Sequence, residues 1–169
     1  MAIKECDNKS VGVIIQNPLG RLALLTRGRF PIGVAPAAGH IDGHGSAEQA
    51  ALDEVREELG IDLAFNSLRR TVITNRRVDN VCRRPGGDHH LWTVYTAITE
   101  DDSLLPDPDE TNGADWYTAH QVQMLAERTR QYKQHLMSEQ EWAAHPGLEP
   151  VWAGFLQELG YVGRVLPSV

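Results

Sequence analysis

The sequence predicts an α/β fold. Three features carry that expectation: paired β-branched runs near the head of the chain, a capped amphipathic helix in its first half, and a strongly apolar strand followed by capped helices in its second half. At 169 residues the chain is one domain by length and can bury a substantial core.

The elements are taken in chain order. Val11 to Ile15 is a β-branched run, Asn17-Pro18-Leu19-Gly20 marks a turn, and Arg21 to Thr26 alternates as a paired strand. Residues 27 to 38, with Pro31 and Pro36, read as a loop. Ser46 with Gln49 three residues on forms a capping-box pattern, and Gly60 is the glycine that ends the helix it starts. Leu68 to Val72 and Val78 to Cys82 read as strand pieces, and Leu91 to Ile98 as the strongest strand of the second half. Asp115-Trp116-Tyr117 reads as a short strand. Thr118 with Gln121 starts a helix through about Ala126; Ser138 with Glu141 starts a third, and Pro150 to Leu159 forms a fourth closed by Gly160.

The first helix carries the chemistry. Ala47, Ala51, Val55 and Leu59 repeat every four residues as an apolar stripe. At about 100° per residue, Glu58 falls inside that stripe, Glu54 at its edge and Glu57 one step further round. Arg56, the only basic residue of the helix, points elsewhere, with Asp53 as its partner. Three carboxylates thus converge near a buried face with no cation beside them. Burying them unpaired costs several kcal/mol, which a hard divalent cation with oxygen ligands would remove. A solvated acidic face is the plain alternative; the apolar placement of Glu58 and the glycine-rich entry weigh against it.

The stretch Gly39 to Ile61, GHIDGHGSAEQAALDEVREELGI, resembles the Nudix box, the loop–helix–loop of the Nudix hydrolases. That pattern runs Gly, five residues, Glu, seven residues, Arg-Glu, an aliphatic, any residue, Glu-Glu, any residue, Gly, an aliphatic. Gly39, Glu54, Val55, Glu57, Glu58, Gly60 and Ile61 match; Gly45 stands for its first Glu and Asp53 for its Arg. In the family those two positions mainly support the loop by ion pairing, and losing both removes a pair rather than orphaning one charge. The resemblance implies an α/β/α sandwich with a mixed β-sheet as a single domain over residues 1–169, its core at about 10–126 and a helical C-terminal extension at about 127–169. The extension would pack on the core and offers a surface for a homodimer.

It also implies Mg²⁺- or Mn²⁺-dependent hydrolysis of a diphosphate bond in a nucleoside diphosphate linked to another group. Glu54, Glu57, Glu58, the Ala38 carbonyl and Glu110 would hold the metal. Ala38 stands where many members have glycine, and a carbonyl ligand does not depend on the side chain. Glu110 fills the place of a loop acid in DPDETNGADWYTAHQ, with Asp107 and Asp109 as competitors. Glu54 is the first candidate for the general base and Glu110 the second. Two other readings share the fold. A binding-only or regulatory nucleotide domain is supported by the changes at Gly45 and Asp53. An isoprenoid diphosphate isomerase would need a cysteine just ahead of the box, and the chain has none between Cys6 and Cys82. A proline some 15 or 16 residues after the box, a mark of one substrate class, would fall near Arg76 and Arg77 and is absent.

Other residues are weighed against these. Arg27, Arg29, Arg69, Arg70, Arg76, Arg77, Arg83 and Arg84 make up half of the 16 basic side chains. Arginine grips phosphate bidentately, and Arg27 and Arg29, just before the box, are the first candidates for substrate phosphate. Cys82, His89 and His90 lie close in sequence, with His40 and His44 in the box loop, but no familiar zinc spacing appears. The plainer expectation is that His89 and His90 open a strand and Cys82 is an idle thiol. The net charge of −7 argues against general nucleic-acid binding. With no apolar run of membrane length, no signal pattern at Met1-Ala2-Ile3-Lys4 and two cysteines, the expectation is a cytoplasmic protein with reduced thiols.

Overall fold

The computed structural model describes residues 3–163. Its strands are β1 (Lys9–Gln16), β2 (Leu22–Arg27), β3 (Val34–Ala35), β4 (Ala37–His40), β5 (Leu68–Val78), β6 (His90–Ile98) and β7 (Thr111–Tyr117). The helices are α1 (Ala47–Leu59), α2 (Ala119–Lys133), α3 (Glu139–Ala144) and α4 (Pro150–Glu158). All seven strands join one sheet, ordered β3-β2-β1-β6-β5, with β4 also on β1 and β7 also on β2. The β1–β6 pair is parallel and the other pairs are antiparallel, so the sheet is mixed. β1 meets β2 only at Gln16↔Leu22, because β4 takes the same edge of β1 from Ser10 to Val13.

Side-chain alternation along β1 divides the core between two faces. Val11, Val13 and Ile15 face α1, packing with Ala50, Ala51, Val55 and Leu59. Ile14 faces the other way, with Leu24, Trp92 and Val94, against Val122 of α2 and Trp152, Phe155 and Leu156 of α4. Helices therefore cover both faces, giving the α/β/α sandwich. The indole of Trp152 lies directly over Gly12, in the space a Cβ there would fill. Trp152 also meets Trp92 and Phe155 edge to face, with centroids 5.6 Å apart.

Three elements differ from the sequence reading. The loop expected over 27 to 38 contains β3 and the start of β4. The two strand pieces around residue 75 are one strand, β5, which carries on through register shifts and a left-handed Asn75 (φ 46°), while 79 to 82 leave the sheet. β5 is the last strand of the order, so its four arginines stay exposed and hide its periodicity. Helix α2 runs to Lys133 rather than about Ala126. Its polar last turns are held by Arg130 on Glu127, by Thr129 donating to the Leu125 and Leu148 carbonyls, and by Tyr132 stacked on Trp142 at 4.2 Å. The capping boxes expected at Thr118/Gln121 and Ser138/Glu141 are both formed.

Because α4 closes one core layer, Trp152→Ala is expected to cost about 3–5 kcal/mol. The urea midpoint measures it; a loss under about 1 kcal/mol would show that α4 is not part of the core.

Candidate active site

The site is built where β4 runs under α1. Ser46 caps α1 by accepting from the Gln49 amide, and Gly60 ends it in the left-handed conformation (φ 69°). Those ends fix which side of the helix meets the sheet. Glu58 is 7% exposed and accepts a 2.9 Å hydrogen bond from the Ala38 N–H. Glu54 is half-buried with its carboxylate flush against Gly39, where any Cβ would collide with it. Glu57 is exposed beside them. Glu110, on the loop before β7, lines the same cleft, which has a volume of about 530 Å³.

Electrostatics identify the purpose of this wall. Among the described residues no Lys or Arg forms an ion pair with Glu54, Glu57 or Glu58. Burial, reinforced by the charges of Glu58 and Glu57, pushes the Glu54 carboxyl up to about 8. Burial raises Glu58 to about 7, against the opposing Ala38 hydrogen bond and the Arg27 charge. A hard divalent cation fits this wall: the carboxylates present oxygen, carry uncompensated charge and face open space. Ala38 and Glu110 border the same space.

The two positions that depart from the box pattern are structurally accounted for. Gly45 adopts φ 92°, ψ −76°, a conformation side-chain-bearing residues avoid, where it closes a 3₁₀ turn over Asp42–His44. Asp53 accepts from three partners: His44 Nδ1 at 2.8 Å, Gln49 Nε2 at 2.9 Å and Arg56 at 2.8 Å. The loop-to-helix contact is therefore kept with its polarity reversed, histidine on the loop and carboxylate on the helix. The Gln49 side chain bonds Asp53 rather than the Ser46 backbone, so the capping box there is only half formed.

The arginines separate into groups. Arg27, Arg29, Arg83 and Arg84 line the same cleft as the carboxylates. Arg27 Nε donates to the Pro31 carbonyl, Arg29 lies 3.9 Å from Glu110, and Arg84 pairs with Asp42 at 2.6 Å. Arg76 is engaged by Glu158 and Arg77 by Asp79, while Arg69 and Arg70 border a different cleft. His90 does open β6, but Cys82 is not isolated. Cys6, His40, Cys82 and His90 bring one ligand atom each to within 4.8 Å of one another. His89 bonds Asp88 and stays outside that group. Sequence spacing missed the cluster because its members come from four separated positions, Cys6 among them.

The raised Glu54 carboxyl makes stability pH-dependent. Its folded value of about 8 exceeds the ordinary 4.5, so the folded state holds the proton more tightly. In cation-free protein, stability is present at acid pH and lost as pH rises from about 4.5 to about 8. Thermal unfolding across that window should show a falling Tm in the wild type and a flatter profile in Glu54→Gln; equal slopes would remove Glu54 as the cause.

The comparisons with known proteins agree with this geometry. A family model described as the NUDIX domain matches residues 7–139. Similar solved structures include a MutT protein from Methanosarcina mazei Go1, with TM-score 0.61, 15% identity and coverage of 94% of this chain and 96% of that one. A Nudix hydrolase from M. smegmatis, RenU, has TM-score 0.57 and 19% identity, covering 99% of this chain and 98% of the other. A MutT/nudix family protein from Enterococcus faecalis has TM-score 0.51 and 19% identity over 69% of this chain, which spans only 45% of that protein's length. No curated protein matches the sequence. At these identities the solved structures speak for the fold, and the family model for the family. With most of its length inside that domain, the chain belongs to the Nudix family of hydrolases, which act on pyrophosphate bonds in nucleoside diphosphate derivatives.

Proposed function

We propose that the protein hydrolyses a diphosphate bond in a nucleoside diphosphate linked to a second group, with Mg²⁺ or Mn²⁺ held by Glu54, Glu57, Glu58, the Ala38 carbonyl and Glu110. The observation that carries this reading is the make-up of one cleft, where Glu54, Glu57, Glu58 and Glu110 are gathered with Arg27, Arg29, Arg83 and Arg84. A diphosphate needs both kinds of group. Its anionic oxygens would be gripped by guanidinium groups, which bind phosphate in a planar, two-pronged geometry. Bound there, the divalent cation would supply neutralisation of phosphate charge and a more acidic water.

The protein's own groups complete the reaction. Glu54 is the favoured base: burial and its acidic neighbours raise its proton affinity, and it borders the open cleft. Glu110 is the second candidate, an exposed residue that lines the same cleft. Glu58 is buried and bonded to β4, which suits holding a cation in place better than exchanging protons with solvent. The same bond makes Glu58→Gln a clean test, since the amide carbonyl can still accept from Ala38.

Glu57→Gln and Glu58→Gln are each expected to lower kcat by at least about 10²-fold with far-UV circular dichroism unchanged. Full activity in either variant would defeat the mechanism. The substrate is found by a product screen over nucleoside triphosphates, ADP-ribose, sugar nucleotides, dinucleoside polyphosphates and coenzyme A, with Mg²⁺ and Mn²⁺ compared. Thermal stabilisation by one of these compounds without product would instead establish a binding-only domain.

A further inference from the structure

The cluster of Cys6, His40, Cys82 and His90 borders the cleft, which His40 and Cys82 help to line, and has no part in the hydrolysis described above. It forms because three strands begin or end together at one end of the sheet. Ser10 of β1 is opposite His40 of β4 on one side and Trp92 of β6 on the other. Cys6 precedes β1, and its amide donates to the Pro85 carbonyl at 2.9 Å, which draws the N-terminal segment onto the loop carrying Cys82. Two imidazoles and two thiols from four distant positions thus meet at one point.

The local geometry is that of a ligand set. Both imidazoles direct Nε2 inward, at 3.2 Å (His90) and 3.4 Å (His40) from Cys6 Sγ. A tetrahedral zinc ion, with bonds of about 2.3 Å to sulfur and about 2.0 Å to nitrogen, separates such atoms by about 3.5 Å. The remaining nitrogen of His90, Nδ1, lies 2.9 Å from Asn80 Oδ1; an amide oxygen only accepts, so the proton sits on Nδ1 and Nε2 presents its lone pair. Backbone N–H groups point at both sulfurs, Asn8 to Cys6 at 3.3 Å and Arg84 to Cys82 at 3.4 Å, each two residues after its cysteine. Donors of that kind stabilise thiolates. Neither cysteine is in a disulfide.

We propose that Cys6, His40, Cys82 and His90 bind one structural zinc ion. Two thiolates balance the charge of Zn²⁺ and two neutral imidazoles complete the shell, so a neutral, four-coordinate centre would sit at a half-buried position. All four places are taken by protein, which marks a closed structural site rather than a catalytic one. Sulfur and nitrogen donors also separate it from the all-oxygen wall of the cleft, which suits harder cations. The ion would join the N-terminal segment, the end of β4 and the β5–β6 loop, and so fix Arg83 and Arg84 at the rim of the cleft. This inference does not depend on the hydrolytic reading.

Untagged protein, purified under reducing conditions without chelator and analysed by elemental mass spectrometry, is expected to carry about one zinc per chain. Cobalt-loaded protein should show the intense tetrahedral d–d bands and the thiolate-to-cobalt charge transfer of a two-sulfur site. The double variant Cys6→Ser, Cys82→Ser should lose the zinc, Glu57→Gln should keep it, and Asn80→Ala should weaken its binding by about 10–100-fold. Reduced wild-type protein that takes up less than half an equivalent from excess zinc would overturn the proposal, as would full zinc retention in the double variant. Should that variant fail to fold, the wild-type cobalt spectrum decides: octahedral bands without charge transfer refute the site.

Discussion

The geometry of the candidate site depends on two carboxylates pressed against two consecutive residues of β4. Glu58 takes the Ala38 N–H, and Glu54 fills the space that a side chain at Gly39 would need. For this to happen α1 must lie close to the sheet, and its apolar side is accordingly built of small residues, Ala50 and Ala51, both fully buried. The caps at Ser46 and Gly60 limit the helix to the length that delivers both carboxylates to the same edge. A larger residue at any of these places would lift the helix and separate the acids. Close approach of a helix to a sheet is here a condition for chemistry as well as for packing.

That approach has an electrostatic cost, which the rest of the cleft is arranged to manage. Like charges gathered in a partly buried wall raise one another's proton affinity, as they do for Glu54. Among the described residues no lysine or arginine pairs with Glu54, Glu57 or Glu58. Arg27, Arg29, Arg83 and Arg84 line the same cleft, while Arg56 and His44 are engaged by Asp53, outside the cluster. Charge of both signs is thereby left available in one cleft. An ion pair within the wall would stabilise the fold and close the site to a cation.

Much of this was legible from residues alone, because the signals are local. The cap at Ser46, the glycine at 60 and the four-residue stripe defined α1, and the angular position of Glu58 foretold its burial. Glu110, Arg27 and Arg29 were identified by their place relative to the box, and they line the cleft. What escaped was non-local. β5 is irregular and polar, and only its pairing with β6 makes it one strand. The second half of α2 owes its order to contacts with Leu148 and Trp142. Which arginines face the cleft follows from the path of the β5–β6 loop. The His44–Asp53 contact likewise depends on the 3₁₀ turn that Gly45 closes, and a pattern comparison sees there only two mismatches.

Strand β4 shows how such non-local order lets four residues serve two purposes. Alternation turns Gly39 toward α1 and leaves Ala38 and His40 on the opposite face. Gly39 and the Ala38 backbone meet the oxygen-rich wall, whereas His40, one residue further, joins Cys6, Cys82 and His90. Hard and soft donors thus meet at successive residues of the same short strand, and an ion suited to one set finds the other chemically unfavourable. The physical connection between them is the strand itself. A zinc ion at His40 would restrain the end of β4 and, through the single peptide step to Gly39, the surface on which Glu54 rests. The same ion would hold Cys82 and with it Arg83 and Arg84. The acids and the arginines of the cleft would then be referenced to one rigid point, the condition for holding both sets in a fixed relative geometry.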